Sequence, residues 1–417
     1  MAPGRLMLLE QRSCRVHSHS HREDPNLVEL RITAEADRPS CRATIVCFSH
    51  LRWNSVFQRP QHLLTRAARS YAVWYFEEPK FEPGGKPRLE TYTDMSGVRV
   101  VTPVLPEGMP GSRAAAAQRQ LLDQVLQAIS SDTLIGWYYT PMALTFTRDL
   151  AFNACVYDNM DELSAFVGAP AEMLQMEHAL FDRADVVFTG GHSLYEAKRH
   201  RHSNIHAFPS SVDTAHFAIA RSREIIEPED QAPIPHPRLG FFGVIDERFD
   251  VALLGALARL RSDWQFVMIG PVVKIDEATL PRLPNIHWLG CKLYSDLPRY
   301  LAGWNVGLMP FALNASTRFI SPTKTPEFLA AGIPVVCSPI PDVVRCYGDP
   351  GLVQIATDAE DFASKAQALL GGQPRWLERV DAQLALSSWD TTWESMRGLV
   401  RRVTRKSARS FLAEAAE

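Results

Sequence analysis

Ser316 to Pro339 reads S-T-R-F-I-S-P-T-K-T-P-E-F-L-A-A-G-I-P-V-V-C-S-P. Just before it, the apolar run Asn305 to Pro310 has the length of a buried parallel strand. The loop that follows carries hydroxyls, one lysine and prolines. Thr325 can cap a helix, Pro326 suits its first turn, and Glu327 falls in that turn. Gly332 ends the helix, and Ile333 to Cys337 has the pattern of the next strand. Strand, polar loop, helix, strand is the unit of a parallel α/β sheet. Such sheets bind ligands at the carboxyl edge of their strands, where this loop falls.

The residues at that edge suit an anion. Free N–H groups at a helix start, with the positive end of the dipole, attract negative charge. Ser321, Thr323 and Thr325 add donors, and Lys324 adds a cation suited to phosphate. Glu327 is a poor phosphate ligand, but its two oxygens can accept from neighbouring sugar hydroxyls. Phosphate at the loop and ribose at Glu327 would describe a nucleotide. A capped helix with a solvated lysine explains the same residues without a ligand.

Outward from this stretch, 417 residues exceed the usual size of one hydrophobic core, so two domains are expected. A hydrophobic share of 46% with 22% charged residues is that of a globular chain. The net charge of −3 gives no push toward nucleic acid. No apolar run nears the ~20 residues that span a bilayer, and Leu6 to Leu9 is too short for a signal-peptide core. A cytoplasmic protein is expected. The seven cysteines are scattered without a CxxC pair, several inside apolar runs, and are expected to be reduced and to hold no metal.

Residues 1–42 show His17, His19 and His21 but no sustained periodicity, and are expected to be a disordered leader. An α/β rhythm then runs over 43–223. Thr44 to Ser49 opens it as a strand, and the loop beyond holds His50, Arg52 and Trp53, with Arg59 and His62 close behind. These are acceptor-side candidates, or else a packed loop with Trp53 and Phe57 in the core. Further strands are expected at Ala72–Phe76, Val98–Pro103, Thr133–Tyr138, Ala154–Asp158 and Asp185–Thr189, with helices between them. That alternation argues for a doubly wound parallel sheet. Asp158 and Asp161 stand at a strand end, placed for acid–base work or for capping a helix.

Residues 224–237 hold four prolines and four acids and are expected to be a linker. The rhythm restarts over 238–388. Arg248 follows its first strand and Lys274 its second, so both would meet Lys324 at one sheet edge. No G-x-G-x-x-G dinucleotide fingerprint is present. Residues 389–417 are expected to form an amphipathic helix with Met396, Leu399, Val400, Val403 and Phe411 near one face. It would lie on a membrane surface or pack against its own domains.

With these stretches in hand, the second half resembles the nucleotide-binding domain of GT-B-fold glycosyltransferases of the family 4, or group 1, type. The resemblance rests on L-G-F-F-G-V-I-D, which contains Gly243, on W-Q-F-V-M-I-G-P and N-I-H-W-L-G, and above all on S-P-T-K-T-P-E-F-L-A-A-G-I-P-V-V-C-S. In the first half, I-V-C-F-S-H-L-R-W and Q-R-P-Q-H-L-L are similar to a bacterial subgroup associated with exopolysaccharide synthesis. The likeness covers about residues 43–372.

It implies two Rossmann-like domains facing across a cleft. The implied reaction moves a hexose from a UDP- or GDP-linked sugar to a hydroxyl of a glycan or lipid-linked acceptor, in polysaccharide or glycoconjugate synthesis. No cofactor is implied, and with no D-x-D after an apolar strand no metal is either. A contact with the inner face of the membrane would suit a lipid-linked acceptor. By the same resemblance Glu327 matches the ribose-binding glutamate, and Lys324 with Ser321–Thr325 matches the diphosphate turn, with Gly243 in the donor site. Arg248 lies near the basic phosphate ligand, outside its usual spacing, and Asp158 near a strand end where many members carry a cleft histidine. One position departs: a second glutamate eight residues before Glu327 is Phe319 here, which leaves retention or inversion open. A catalytically silent nucleotide-sugar-binding protein and a sugar-nucleotide epimerase are the other readings.

Overall fold

The computed structural model describes residues 43–372 and 374–414, with side chains to 405. The leader expected at 1–42 and the side chain of Phe411 lie outside the described residues.

The first sheet comprises β1 (Thr44–Ser49), β2 (Ala72–Glu77), β3 (Lys80–Glu82), β4 (Arg88–Thr93), β5 (Arg99–Pro106), β6 (Leu134–Tyr138), β7 (Ala154–Asn159), β8 (Val186–Thr189) and β9 (Ile205–Ala207). Its order is β3-β5-β2-β1-β6-β7-β8-β9, with β4 antiparallel along β5. The second sheet comprises β10 (Arg238–Phe242), β11 (Gln265–Ile269), β12 (Ile286–Gly290), β13 (Val306–Met309), β14 (Val335–Cys337) and β15 (Gln354–Ile355). It is wholly parallel, in the order β12-β11-β10-β13-β14-β15.

Each sheet is covered on both faces, which is why its strands read as unbroken apolar runs. Along β1, Ile45 and Cys47 enter one core while Val46 and Phe48 enter the other. Along β11, Val267 and Ile269 face one side, Phe266 and Met268 the opposite. Fully burying one such side chain stabilises the fold by roughly 1.5–3 kcal/mol. The strands β3 and β4, both paired with β5, are an addition to the expected strands. Their residues are largely polar and mostly exposed at the sheet edge, so they lack an apolar signature.

Both sheets reverse strand order once, between β1 and β6 and between β10 and β13. Ligands of doubly wound sheets bind at that reversal. Here it places the loop after β10, with Gly243 and Arg248, beside the loop after β13, which leads to Lys324.

Two connecting segments tie the halves together. The proline-rich stretch before β10 lies on the second domain: Glu227 takes both bonds from Arg238 Nη1, at 2.8 and 2.9 Å, and Gln231 accepts from Trp304 Nε1 at 2.8 Å. The last helix, Trp389–Glu414, returns to the first domain. Trp389, Trp393, Met396 and Val400 join the core under β1, with Leu399 and Val403 packed at its margin. As far as Val403 its apolar face is therefore covered by protein. No helix among the described residues is long and apolar enough to cross one. Cys47, Cys155, Cys337 and Cys346 are free. Cys291 corrects the expectation of reduced thiols throughout: it is disulfide-bonded, and it stands past the end of β12 in a partly exposed loop rather than in an apolar strand.

Candidate functional site

The helix after β13 spans Lys324–Ala330 and starts two residues earlier than a cap at Thr325 would place it. Thr323 is its cap residue by position but makes no side-chain cap bond. Thr325 is not a cap or a ligand donor. It lies inside the first turn, fully buried, with its hydroxyl 3.3 Å from Met309 Sδ, because that position of the turn faces the sheet. Lys324 Nζ donates to Thr323 Oγ1 at 3.1 Å. Its stem runs over Gly243, where a Cβ would stand 2.8 Å from Lys324 Cε. Gly243 also has φ +136°, so only glycine leaves this path open. Gly243 therefore serves the site by yielding space to the lysine.

Burial lowers the Lys324 pKa, Glu327 opposes this, and Arg248 adds to it. Glu327 is 2% exposed and its Oε2 has no hydrogen-bond partner. Burial pushes its carboxyl up to about 7, against the pull of Lys324. Arg248 is less free than its sequence position suggests: Nε and Nη2 bind Asp246 at 3.0 and 2.7 Å. Ser321 faces the other domain, accepting from Ser210 N at 3.2 Å and from Ser210 Oγ, through its carbonyl, at 2.5 Å.

Across the cleft, the loop after β1 corrects two acceptor-side candidates. Arg52 binds Glu77 at 3.1 Å and the carbonyls of Glu78 and Pro79. Trp53 is buried, its N–H 2.7 Å from Glu77 Oε1 and its ring edge-on to Tyr75 at 5.0 Å. Both brace the loop against the buried Glu77 at the end of β2 and so face away from the cleft. His50 is half-buried with Nδ1 unpartnered, and burial with the charge of Lys274 takes its pKa down to about 4.

Arg59, expected on the acceptor side, and Asp158, expected at a cleft strand end, bind each other. They form a buried ion pair, Nε to Oδ1 at 3.0 Å and Nη2 to Oδ1 at 2.9 Å, and Arg59 Nη1 donates to the Phe208 carbonyl at 2.7 Å. Arg59 reaches the cleft wall, but Asp158 is fully buried beneath it. Asp161 is the expected carboxylate that does line the cleft, with Arg59, Gly190, Arg248, Ser321 and Lys324. Burial pushes its carboxyl up to about 6; Arg248 pulls it down and Asp246 up.

The space between these residues is about 100 Å3, well below the ~300–1,000 Å3 of small-molecule pockets. The domains therefore meet closely around this space. Contacts invisible to the sequence reading hold them. The buried Asp342 carboxylate accepts from His192 N and Ser193 N, both at 2.8 Å. Phe57 stacks on Tyr294 at 4.6 Å. Neither pair has a local motif, since the partners lie far apart in sequence. Among the described residues no group of three or more His, Cys, Asp or Glu side chains is arranged to hold a metal.

Residues 236–371 match the family model described as glycosyl transferases group 1. TuaH of Bacillus subtilis (strain 168), named as a teichuronic acid biosynthesis glycosyltransferase, is 24% identical over 304 residues, 68% of this chain and 71% of that protein. Sucrose-phosphate synthase from Thermosynechococcus elongatus superposes with a TM-score of 0.64 at 15% identity, covering 88% of this chain and all of that one (100%). The UDP-forming alpha,alpha-trehalose-phosphate synthase of Burkholderia xenovorans gives 0.62 at 14%, over 86% of this chain and 99% of its own. An E. coli protein whose structure holds UDP-2-fluoro glucose gives 0.62 at 12%, over 87% and 99%. At such identities these structures establish the fold: two parallel-sheet domains of the GT-B kind. The chain has the GT-B fold, and its residues 236–371 are a group 1 glycosyltransferase domain.

Proposed function

We propose that the donor is a UDP- or GDP-linked hexose and that the acceptor is a hydroxyl of a glycan or lipid-linked glycan. The setting is polysaccharide or glycoconjugate synthesis on the cytoplasmic side of the membrane. One observation carries the reading: a half-buried Lys324 and a buried Glu327 share the first turn of one helix, and a carboxylate oxygen of Glu327 has no partner. A buried, unpaired polar group costs roughly 1–3 kcal/mol. A ribose donating its hydroxyls to Glu327, with its diphosphate at Lys324, relieves both groups at once. The UDP sugar held by the E. coli neighbour and the polysaccharide role in the name of TuaH support the same ligand class.

In the transfer, the acceptor oxygen bonds to the anomeric carbon as the bond to the diphosphate breaks. Negative charge grows on the leaving oxygen, where Lys324, Arg248 and the helix start stabilise it. Asp161 is the cleft-lining carboxylate placed to hold the acceptor hydroxyl. Titration calorimetry with UDP and with GDP tests the donor half. One of them should bind, and Glu327→Ala should weaken it about tenfold through the lost hydroxyl contacts. Equal affinity in wild type and variant would remove Glu327 from the site.

A further inference from the structure

The loop that leaves β7 carries more than Asp161. Residues 160–170 run off the first domain and reach the second. The base is fastened at home: Asn159 Nδ2 donates to the Asp161 carbonyl at 2.9 Å, and Glu162 pairs with Lys198 at 2.7 Å. The tip is fastened across the cleft. Val167 N donates to Glu247 Oε1 at 3.0 Å. The Phe166 ring lies 5.4 Å from the Arg248 guanidinium carbon and 5.3 Å from Lys274 Nζ. Phe166 is half-buried yet joins none of the hydrophobic clusters of the described residues. Its main company is the pair of cations from the loops after β10 and β11.

We propose that Phe166 decides whether the bound sugar passes to the acceptor or to water, by seating the 160–170 loop on Arg248 and Lys274. This rests on the donor reading above. An aromatic face attracts cations more strongly once water is excluded. The contact therefore draws the two domains together and shields the reacting centre in one movement. Phe166 acts as a positioning residue, through the cations and the loop it holds. Without the ring, water reaches the anomeric carbon: its oxygen bonds there, the carbon–oxygen bond to the diphosphate breaks with its electron pair on the phosphate oxygen, and the proton of the water goes to solvent. The products are free sugar and nucleoside diphosphate.

The test compares wild type, Phe166→Ala and Phe166→Tyr on UDP- and GDP-linked hexoses, with and without acceptor. The ratio of donor hydrolysis to transfer should rise about tenfold in Phe166→Ala and return near the wild-type value in Phe166→Tyr, which keeps the aromatic face. An unchanged ratio in Phe166→Ala, with transfer intact, overturns this proposal and leaves the donor reading standing. A wild type that turns over none of these sugars overturns the donor reading and this one with it. Small-angle scattering of the ligand-free proteins adds a readout that needs no donor. Phe166→Ala should have the larger radius of gyration, and equal radii overturn the closing role.

Discussion

The two walls of the cleft treat their charges in opposite ways. On the first-domain wall most charged groups satisfy one another, Arg59 with Asp158 and Lys198 with Glu162 and Glu177, while Asp161 faces the cleft. On the second-domain wall Lys324 has a single hydroxyl contact, and Glu327 keeps one oxygen unpartnered. Evolved folds rarely leave a buried polar group unsatisfied without a use for it. The difference separates charges that hold the protein together from charges that wait for a ligand. Arg248 stands between the classes, paired to Asp246 yet exposed to the cleft.

The strongest way to break this comparison is to delete one charge from each wall. Lys324→Ala should lower kcat by about a hundredfold or more, as loss of a preorganised charge at a leaving group does. Its melting temperature should hold or rise, because a partly buried cation is removed. Turnover with labelled donor and a thermal melt on the same preparation check both halves. Asp158→Ala should do the reverse. Removing one partner of a buried pair strands the Arg59 charge and costs roughly 3–5 kcal/mol of stability. Urea unfolding should show the first domain failing first, and an unchanged midpoint would erase the distinction between the walls.

A smaller effect sharpens the same contrast through pH. The Glu327 carboxyl is raised to about 7 in the fold against about 4.3 in an unfolded chain. Between those values the native state binds more protons than the unfolded state, so stability falls as pH rises from about 4.5 to about 7. Asp161, raised to about 6, acts in the same direction. Melting temperature against pH should therefore slope downward there in the wild type and less so in Glu327→Gln. Parallel slopes would mean that Glu327 is not the buried titrating group.

What could be read without coordinates was local. The strand, loop and helix around Lys324 lie within a few dozen residues, and the helix start that groups Lys324 with Glu327 is encoded there by Pro326 and the apolar turn behind it. The alternation of apolar runs and amphipathic helices likewise announced two doubly wound sheets, because each run must be buried on both faces. The misreadings were of partners. Thr325 looked like a cap until the first turn was seen facing Met309, and Trp53 and Arg52 looked like cleft residues until Glu77 was found beneath them.

The sequence alone determined the two α/β units and a helix start in the neighbourhood of Lys324 and Glu327, since hydrophobic period and turn chemistry act over neighbouring residues. The tertiary structure decided which charges are cancelled and which remain. Arg59 meets Asp158 across 99 positions and Asp342 meets His192 across 150. Only the packing of the strands, and the closure of one domain on the other, brings such groups within hydrogen-bond reach.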